Sequence, residues 1–234
     1  MESVKHQTAN HFMKNKSTYI MLGAGLLLQL ITFIITKDTW LAFISGIAGV
    51  FSVVFCSERR MSYYLWSFIQ IFTFTAICWD ANLYGKLVEN TFYLITGVIG
   101  IVIWYKNRDN YNKVKTLSLT AEGVVLTTIL TLVGWAVLYL ILGLFTDCQA
   151  PLLDSVSTAI AIAAQILMML RYRENWILWM IVDVICIVLF TITENWCMAV
   201  QYIFWMINTL YGYIQWSKAW EPRDKYFIEY CYAD

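Results

Sequence analysis

Histidine and proline are nearly missing from this chain: two of each occur in 234 residues. Both histidines, His6 and His11, lie in the polar opening stretch. No imidazole is left further along for a proton relay or a metal site. Charge is also scarce, at 14% of residues against about 25% in soluble domains. Hydrophobic residues make up 60%, more than a soluble fold of this length could bury. The chain reads as an all-α integral membrane protein. Formal net charge is zero, so bulk electrostatics selects no partner, and no nucleic acid is expected. Walker, HExxH and GxSxG motifs are absent, which argues against ATP-driven transport and intramembrane proteolysis. Neither enzyme activity nor a cofactor or metal is expected.

None of the six cysteines forms a CxxC pair. Cys56, Cys78, Cys186 and Cys231 read as small packing residues. Cys148 and Cys197 read the same way, with a disulfide between outer loops as the alternative.

A helix that crosses a bilayer needs about 20 apolar residues. Eight runs qualify, at about 18–36, 40–56, 63–79, 87–105, 119–145, 152–170, 176–193 and 197–216. The first is as long as a full span and lacks a small-x-small site after it, so a cleavable signal is not expected. With the N-terminus inside, fourteen Lys and Arg residues fall on the cytoplasmic side, and only Lys37 and Lys86 fall outside. That bias fixes the orientation, with both termini cytoplasmic.

The chain also repeats itself. "YYLWSFIQI" (63–71) lies over "WILWMIVDV" (176–184) at an offset of 113, pairing Tyr63, Trp66 and Gln70 with Trp176, Trp179 and Asp183. After a one-residue gap the offset is 112, and Glu89, Tyr93, Thr96, Gly100 and Trp104 meet Gln201, Trp205, Asn208, Gly212 and Trp216. Upstream, Ser52 and Arg60 meet Gln165 and Arg173. One span separates the triplets, so both have the same orientation, the parallel-repeat arrangement of SWEET-type transporters. The expected organisation is a tail and extra helix (1–39), a first triplet (40–106), a basic loop and linker helix (107–151), a second triplet (152–218) and a C-terminal tail (219–234).

Residues i, i+3 and i+7 share a helix face. Trp176, Trp179 and Asp183 therefore form one stripe, Trp66 and Gln70 its counterpart, and Gln201, Trp205, Asn208 and Tyr211 a third. At about 1.5 Å per residue, Asp183 lies roughly 10 Å from the cytoplasmic end of its span and Asn208 roughly 16 Å from the outer end. An aspartate at that depth costs about 2.5–3.5 kcal/mol on insertion scales, so it faces a cavity or a partner. Interhelical bonding is one reading. A ligand cavity is the other, favoured because aromatics and amides recur on the same stripes. Aromatic faces stack on a heteroaromatic ring, more strongly if it is cationic, and amides bind hydroxyls. Gln165 could add another amide. Gly97, Gly100 and Gly212 permit close helix approach, and Gly46 and Gly49 read as packing positions.

WxxW at Trp176–Trp179, NxxY at Asn208–Tyr211, the triplet repeat and the basic inner loops resemble PnuC-type vitamin transporters, over about 40–218. The first half departs from the pattern, with YxxW at Tyr63–Trp66 and Thr96–Ile99 in place of NxxY. The resemblance implies a SWEET-like fold, a homotrimer in the bacterial inner membrane, and uptake of nicotinamide riboside by facilitated diffusion. Two three-helix units would rock around a midplane site to which the second half contributes more. Thiamine or riboflavin uptake, or a receptor or helper subunit that does not transport, are the alternatives.

Overall fold

The computed structural model describes residues 2–37, 39–80, 84–145, 151–192 and 196–220. These form α1 (Glu2–Thr36), α2 (Trp40–Ser57), α3 (Ser62–Asp80), α4 (Tyr84–Lys106), α5 (Ala121–Phe145), α6 (Pro151–Met169), α7 (Asn175–Ile192) and α8 (Trp196–Lys218). Each expected span corresponds to one helix. α1 begins well before its apolar run, because no proline or glycine interrupts residues 2–17. The segments 16–36, 40–57, 87–106 and 121–141 are long and apolar enough to cross a membrane on their own. α3 and α8 are not among them. α8 carries Gln201, Asn208, Thr209 and Gln215, a composition suited to facing protein or ligand rather than lipid. Cys56 and Cys78 are buried, as packing residues should be, and Cys186 is half-buried. The alternative pairing of Cys148 with Cys197 lies outside the described residues, as do Cys231 and the tail after Trp220.

The repeat is present, but its register corrects the one read from sequence. Ser57 and Met169 end α2 and α6, Asp80 and Ile192 end α3 and α7, and α4 and α8 run from Tyr84 and Trp196 to Lys106 and Lys218. Every pair differs by 112. The tight turns agree. Arg59 and Arg171 both adopt a left-handed backbone, with φ of 61° and 71°. Arg60 N donates to Phe55 O as Tyr172 N does to Leu167 O, and Tyr64 N donates to Met61 O as Trp176 N does to Arg173 O. No one-residue gap exists. The counterpart of Trp176 is Tyr64, and that of Asp183 is Ile71, not Gln70. All four residues are buried. Apolar helices look alike when slid by one residue, and YxxW over WxxW attracted the wrong alignment. Turn geometry cannot slide in that way.

The chain divides into two compact units, 1–98 and 99–234, with the boundary inside α4. In the first unit, two glycines of α2 seat glutamine amides. Gln29 of α1 lies on Gly46, and Gln70 of α3 lies on Gly49, where a Cβ would meet its Nε2 at 2.9 Å. Phe51 stacks on Trp66 at 4.3 Å between centroids. Asn90 of α4 donates to Thr75 of α3 at 3.4 Å.

In the second unit, the segment after α4 is laced to the turn between α6 and α7. Leu117 N donates to Arg171 O at 2.8 Å, and Arg173 N donates back to Leu117 O at 2.9 Å. Thr116 Oγ1 donates to Trp216 O, and Arg171 Nη1 to Lys115 O. The Glu174 carboxylate accepts from Ser118 Oγ and Leu119 N at the start of α5. The end of α4, the start of α5, the α6–α7 turn and the end of α8 therefore share one basic face, the side the charge pattern assigned to them. Just above that face, Trp216 lies edge-on to Trp104 and to Trp176, at 5.6 and 5.7 Å.

Gly212 is where this packing is tightest. A Cβ there would fall 2.6–2.7 Å from the Trp176 indole, whereas one on Gly134 would meet nothing within 4 Å. Gly212→Ala should therefore destabilise the protein by about 1–3 kcal/mol through overpacking. Gly134→Ala should be neutral or gain up to about 1 kcal/mol from helix propensity. Thermal denaturation of the two variants in one detergent measures the difference, and equal midpoints would contradict it.

Candidate functional site

α7 and α8 pack side by side and bring the deepest polar groups together. Asp183 is 5% exposed and its Oδ2 lies 2.9 Å from Thr209 Oγ1. The same hydroxyl lies 2.9 Å from the carbonyl of Trp205. With one proton it donates to one acceptor at a time, and a carboxylate makes the stronger bond. Asn208 precedes Thr209 and is 2% exposed. Among the described residues, Asp183 is the only carboxylate in the middle third of a helix. The reading of α7 as a stripe holding a carboxylate toward α8 thus has a concrete form: an acid, a hydroxyl and an amide at one level of two adjacent helices.

The aromatic members are arranged unequally. Trp176 is buried, with its ring spent on Gly212 and Trp216. Its indole N–H is buried and finds no acceptor among the described residues, a condition that costs about 1–3 kcal/mol unless an acceptor reaches it. Trp179, one turn deeper, is half-buried, as are Gln201, Trp205 and Tyr211 on α8. These side chains keep surface available for contact. Trp205 leans on Phe204 at 5.4 Å. Gln165 of α6 is buried, at 6% exposure.

In the first unit, Trp66 and Gln70 are half-buried, the one stacked on Phe51 and the other seated on Gly49. At the positions matching Gln201 and Trp205, Glu89 accepts a 2.8 Å hydrogen bond from the Tyr93 hydroxyl. The positions matching Asp183 and Thr209 hold Ile71 and Gly97, and the Phe68 ring approaches within 3.1 Å of where a Gly97 Cβ would sit. Where the second unit has an acid and a hydroxyl, the first has an apolar side chain and a space filled by phenylalanine. The asymmetry expected from the missing NxxY is therefore deeper than that motif.

Sequence reading missed Thr209. Its signal was a hydroxyl residue beside Asn208, on the helix that follows Asp183. Trp104 and Trp216 were seen as a repeat pair, but Trp216 was not seen as the ring against which Trp176 packs.

The chain is also similar to known proteins. Residues 39–218 match the family described as nicotinamide mononucleotide transporter. A nicotinamide riboside transporter PnuC of Haemophilus influenzae is 34% identical over 207 residues, covering 85% of this chain and 88% of that protein. Another, of Neisseria mucosa, is 29% identical over 215 residues, covering 87% and 81%. A crystal structure of the vitamin B3 transporter PnuC superposes with a TM-score of 0.73 at 28% identity, covering 86% of this chain and 91% of that one.

Thr209→Val removes the hydroxyl at constant shape and leaves the carboxylate one donor short, so it should lower stability by about 1–3 kcal/mol. Thr209→Ser keeps the donor and should melt close to the parent protein. A valine variant as stable as the parent would remove this bond from the account.

Proposed function

The chain belongs to the nicotinamide mononucleotide transporter family, and on that premise we propose that it carries nicotinamide riboside across the membrane through a site dominated by α7 and α8. The observation that carries the reading is the buried cluster of Asp183, Thr209 and Asn208 beside half-buried Trp179, Trp205 and Tyr211. Nicotinamide riboside is a cationic pyridinium joined to a ribose. Aromatic faces attract a cationic ring, and a carboxylate at the same level favours its charge. Asn208, Gln201 and Gln165 supply donors and acceptors for hydroxyls and the carboxamide. Trp176 closes the site toward the basic face, and its N–H is a donor for an acceptor on the substrate. Within the first unit, Trp66 and Gln70 offer an aromatic face and an amide of the same kind.

The reading includes orientation and mechanism. The basic face is cytoplasmic, both termini lie on that side, and the membrane is the bacterial inner membrane. Transport is facilitated diffusion, in which the two three-helix units alternate access and the protein assembles as a trimer. Among the described residues a single mid-helix carboxylate, engaged by Thr209, provides no ladder of titratable groups for proton coupling.

Purified protein in liposomes tests the proposal. Labelled nicotinamide riboside should equilibrate faster than into empty vesicles, and an uncoupler should leave that rate unchanged. Equilibration no faster than the empty control would refute transport of this substrate, and a rate abolished by the uncoupler would refute uniport. Thiamine and riboflavin run in parallel identify the alternatives. Asn208→Ala should weaken binding of nicotinamide riboside by about 1–3 kcal/mol, read by calorimetry. Unchanged affinity in a folded variant would exclude Asn208 from the site.

A further inference from the structure

α5 borders a cavity that the proposed transport site does not use. This cavity, of about 520 Å³, opens between α5, α6 and α7, entirely within the second unit, lined by residues such as Val124, Thr128, Trp135, Ile160, Leu167 and Ile177. The lining is aliphatic. Its threonines do not make it polar, because Thr127, Thr128 and Thr131 each donate to a carbonyl one turn back on their own helix. Among the described residues none covers the other flank of α5, and none of the span 121–141 is buried.

Three observations indicate what fills it. The first is length. The steps from Val124 to Trp135 rise about 16 Å along α5, half of the roughly 30 Å hydrocarbon core, so the cavity spans one leaflet. The second is charge at its mouth. Glu174 and Leu119 line its end nearest the basic face. The Glu174 carboxylate there is answered by Arg173 at 3.1 Å, Ser118 Oγ and Leu119 N. Lys115 stands on the strap laced to that turn, and Arg171 on the turn itself. Three cations on the adjoining strap and turn, against Glu174 and against Glu122 in the first turn of α5, leave this end net positive. The third is the wall itself. Helix pairs in membranes meet over small residues, whereas this wall is built largely of Val, Leu, Ile and Trp, with Ala159 its smallest member.

We propose that this cavity is a binding site for an anionic phospholipid of the basic-side leaflet, with one acyl chain between α5, α6 and α7 and the phosphodiester at the Lys115–Arg171–Arg173 rim. An acyl chain fits a narrow aliphatic slot one leaflet long, and the rim answers the headgroup charge. The site lies between the linker helix and its neighbours α6 and α7, so its occupancy bears on how firmly α5 is held against them.

The test uses the full chain, stripped of lipid in mild detergent and returned to micelles containing phosphatidylglycerol or phosphatidylcholine. Native mass spectrometry reads bound lipid, and thermal denaturation reads its effect. The expected result is one phosphatidylglycerol per chain, a raised melting midpoint, and at least tenfold weaker retention of phosphatidylcholine. Thr131→Phe, which fills the slot from the α5 wall, should lose both the lipid and the shift. Arg173→Gln should erase the preference for phosphatidylglycerol, and Lys115→Gln, on an exposed side chain, provides the same test should the arginine variant fold poorly. Equal retention of both lipids by the parent protein, or full retention by Thr131→Phe, would overturn the proposal. A changed oligomeric state in Thr131→Phe with lipid binding intact would assign the cavity to a second copy of the chain instead.

Discussion

A carboxylate in the middle of a membrane-spanning helix persists only if protein or ligand answers it, and here Thr209 answers Asp183 across the α7–α8 contact. Much of the second unit is arranged around that requirement. α8 carries the hydroxyl, and with it the neighbouring Asn208 and, one turn along, Gly212. Gly212 has no Cβ, so Trp176 can lie on α8 and draw α7 close. Trp216 and Trp104 then complete the packing at the basic end. The strap from Lys115 to Leu119 ties the start of α5 to the α6–α7 turn below it. A helix as polar as α8 tolerates the bilayer because its amides and hydroxyls face these partners and not lipid.

The two repeats share a backbone and differ in chemistry. The same left-handed arginine turns the chain between the first two helices of each triplet, at Arg59 and Arg171. Backbone geometry of this kind is indifferent to most side chains, so it persists while the residues around it change. Ile71 and Gly97 stand where Asp183 and Thr209 stand, and no polar bond is possible between them. A pair of identical units would present the same groups twice.

Much of the fold was legible in the sequence because the bilayer enforces it. Eight long apolar runs and a one-sided distribution of Lys and Arg correspond to the eight helices and to the shared basic face of the second unit. Asp183, Asn208 and the tryptophans were legible because polar and aromatic residues at depth are expensive and stand out. The register of the repeat was not. Aliphatic helices carry little positional information, and aligning tryptophan with tryptophan moved Gln70 onto the position that Ile71 holds. Thr209 was overlooked because threonine is common in apolar helices and usually bonds to its own backbone, as Thr73 and Thr96 do here. Only the packing of α7 on α8 distinguishes it. The burial of Trp176 was hidden for the same reason: its partner is a glycine, a residue that shows nothing of what lies upon it.

The central claim is that the polar pair of the second unit underlies substrate binding. The most direct measurement converts that unit to the chemistry of the first, with Asp183→Ile and Thr209→Gly in one chain, and determines the affinity for nicotinamide riboside by calorimetry beside the parent protein. The account predicts a folded variant that binds at least tenfold more weakly. Equal affinity in the two proteins would contradict it.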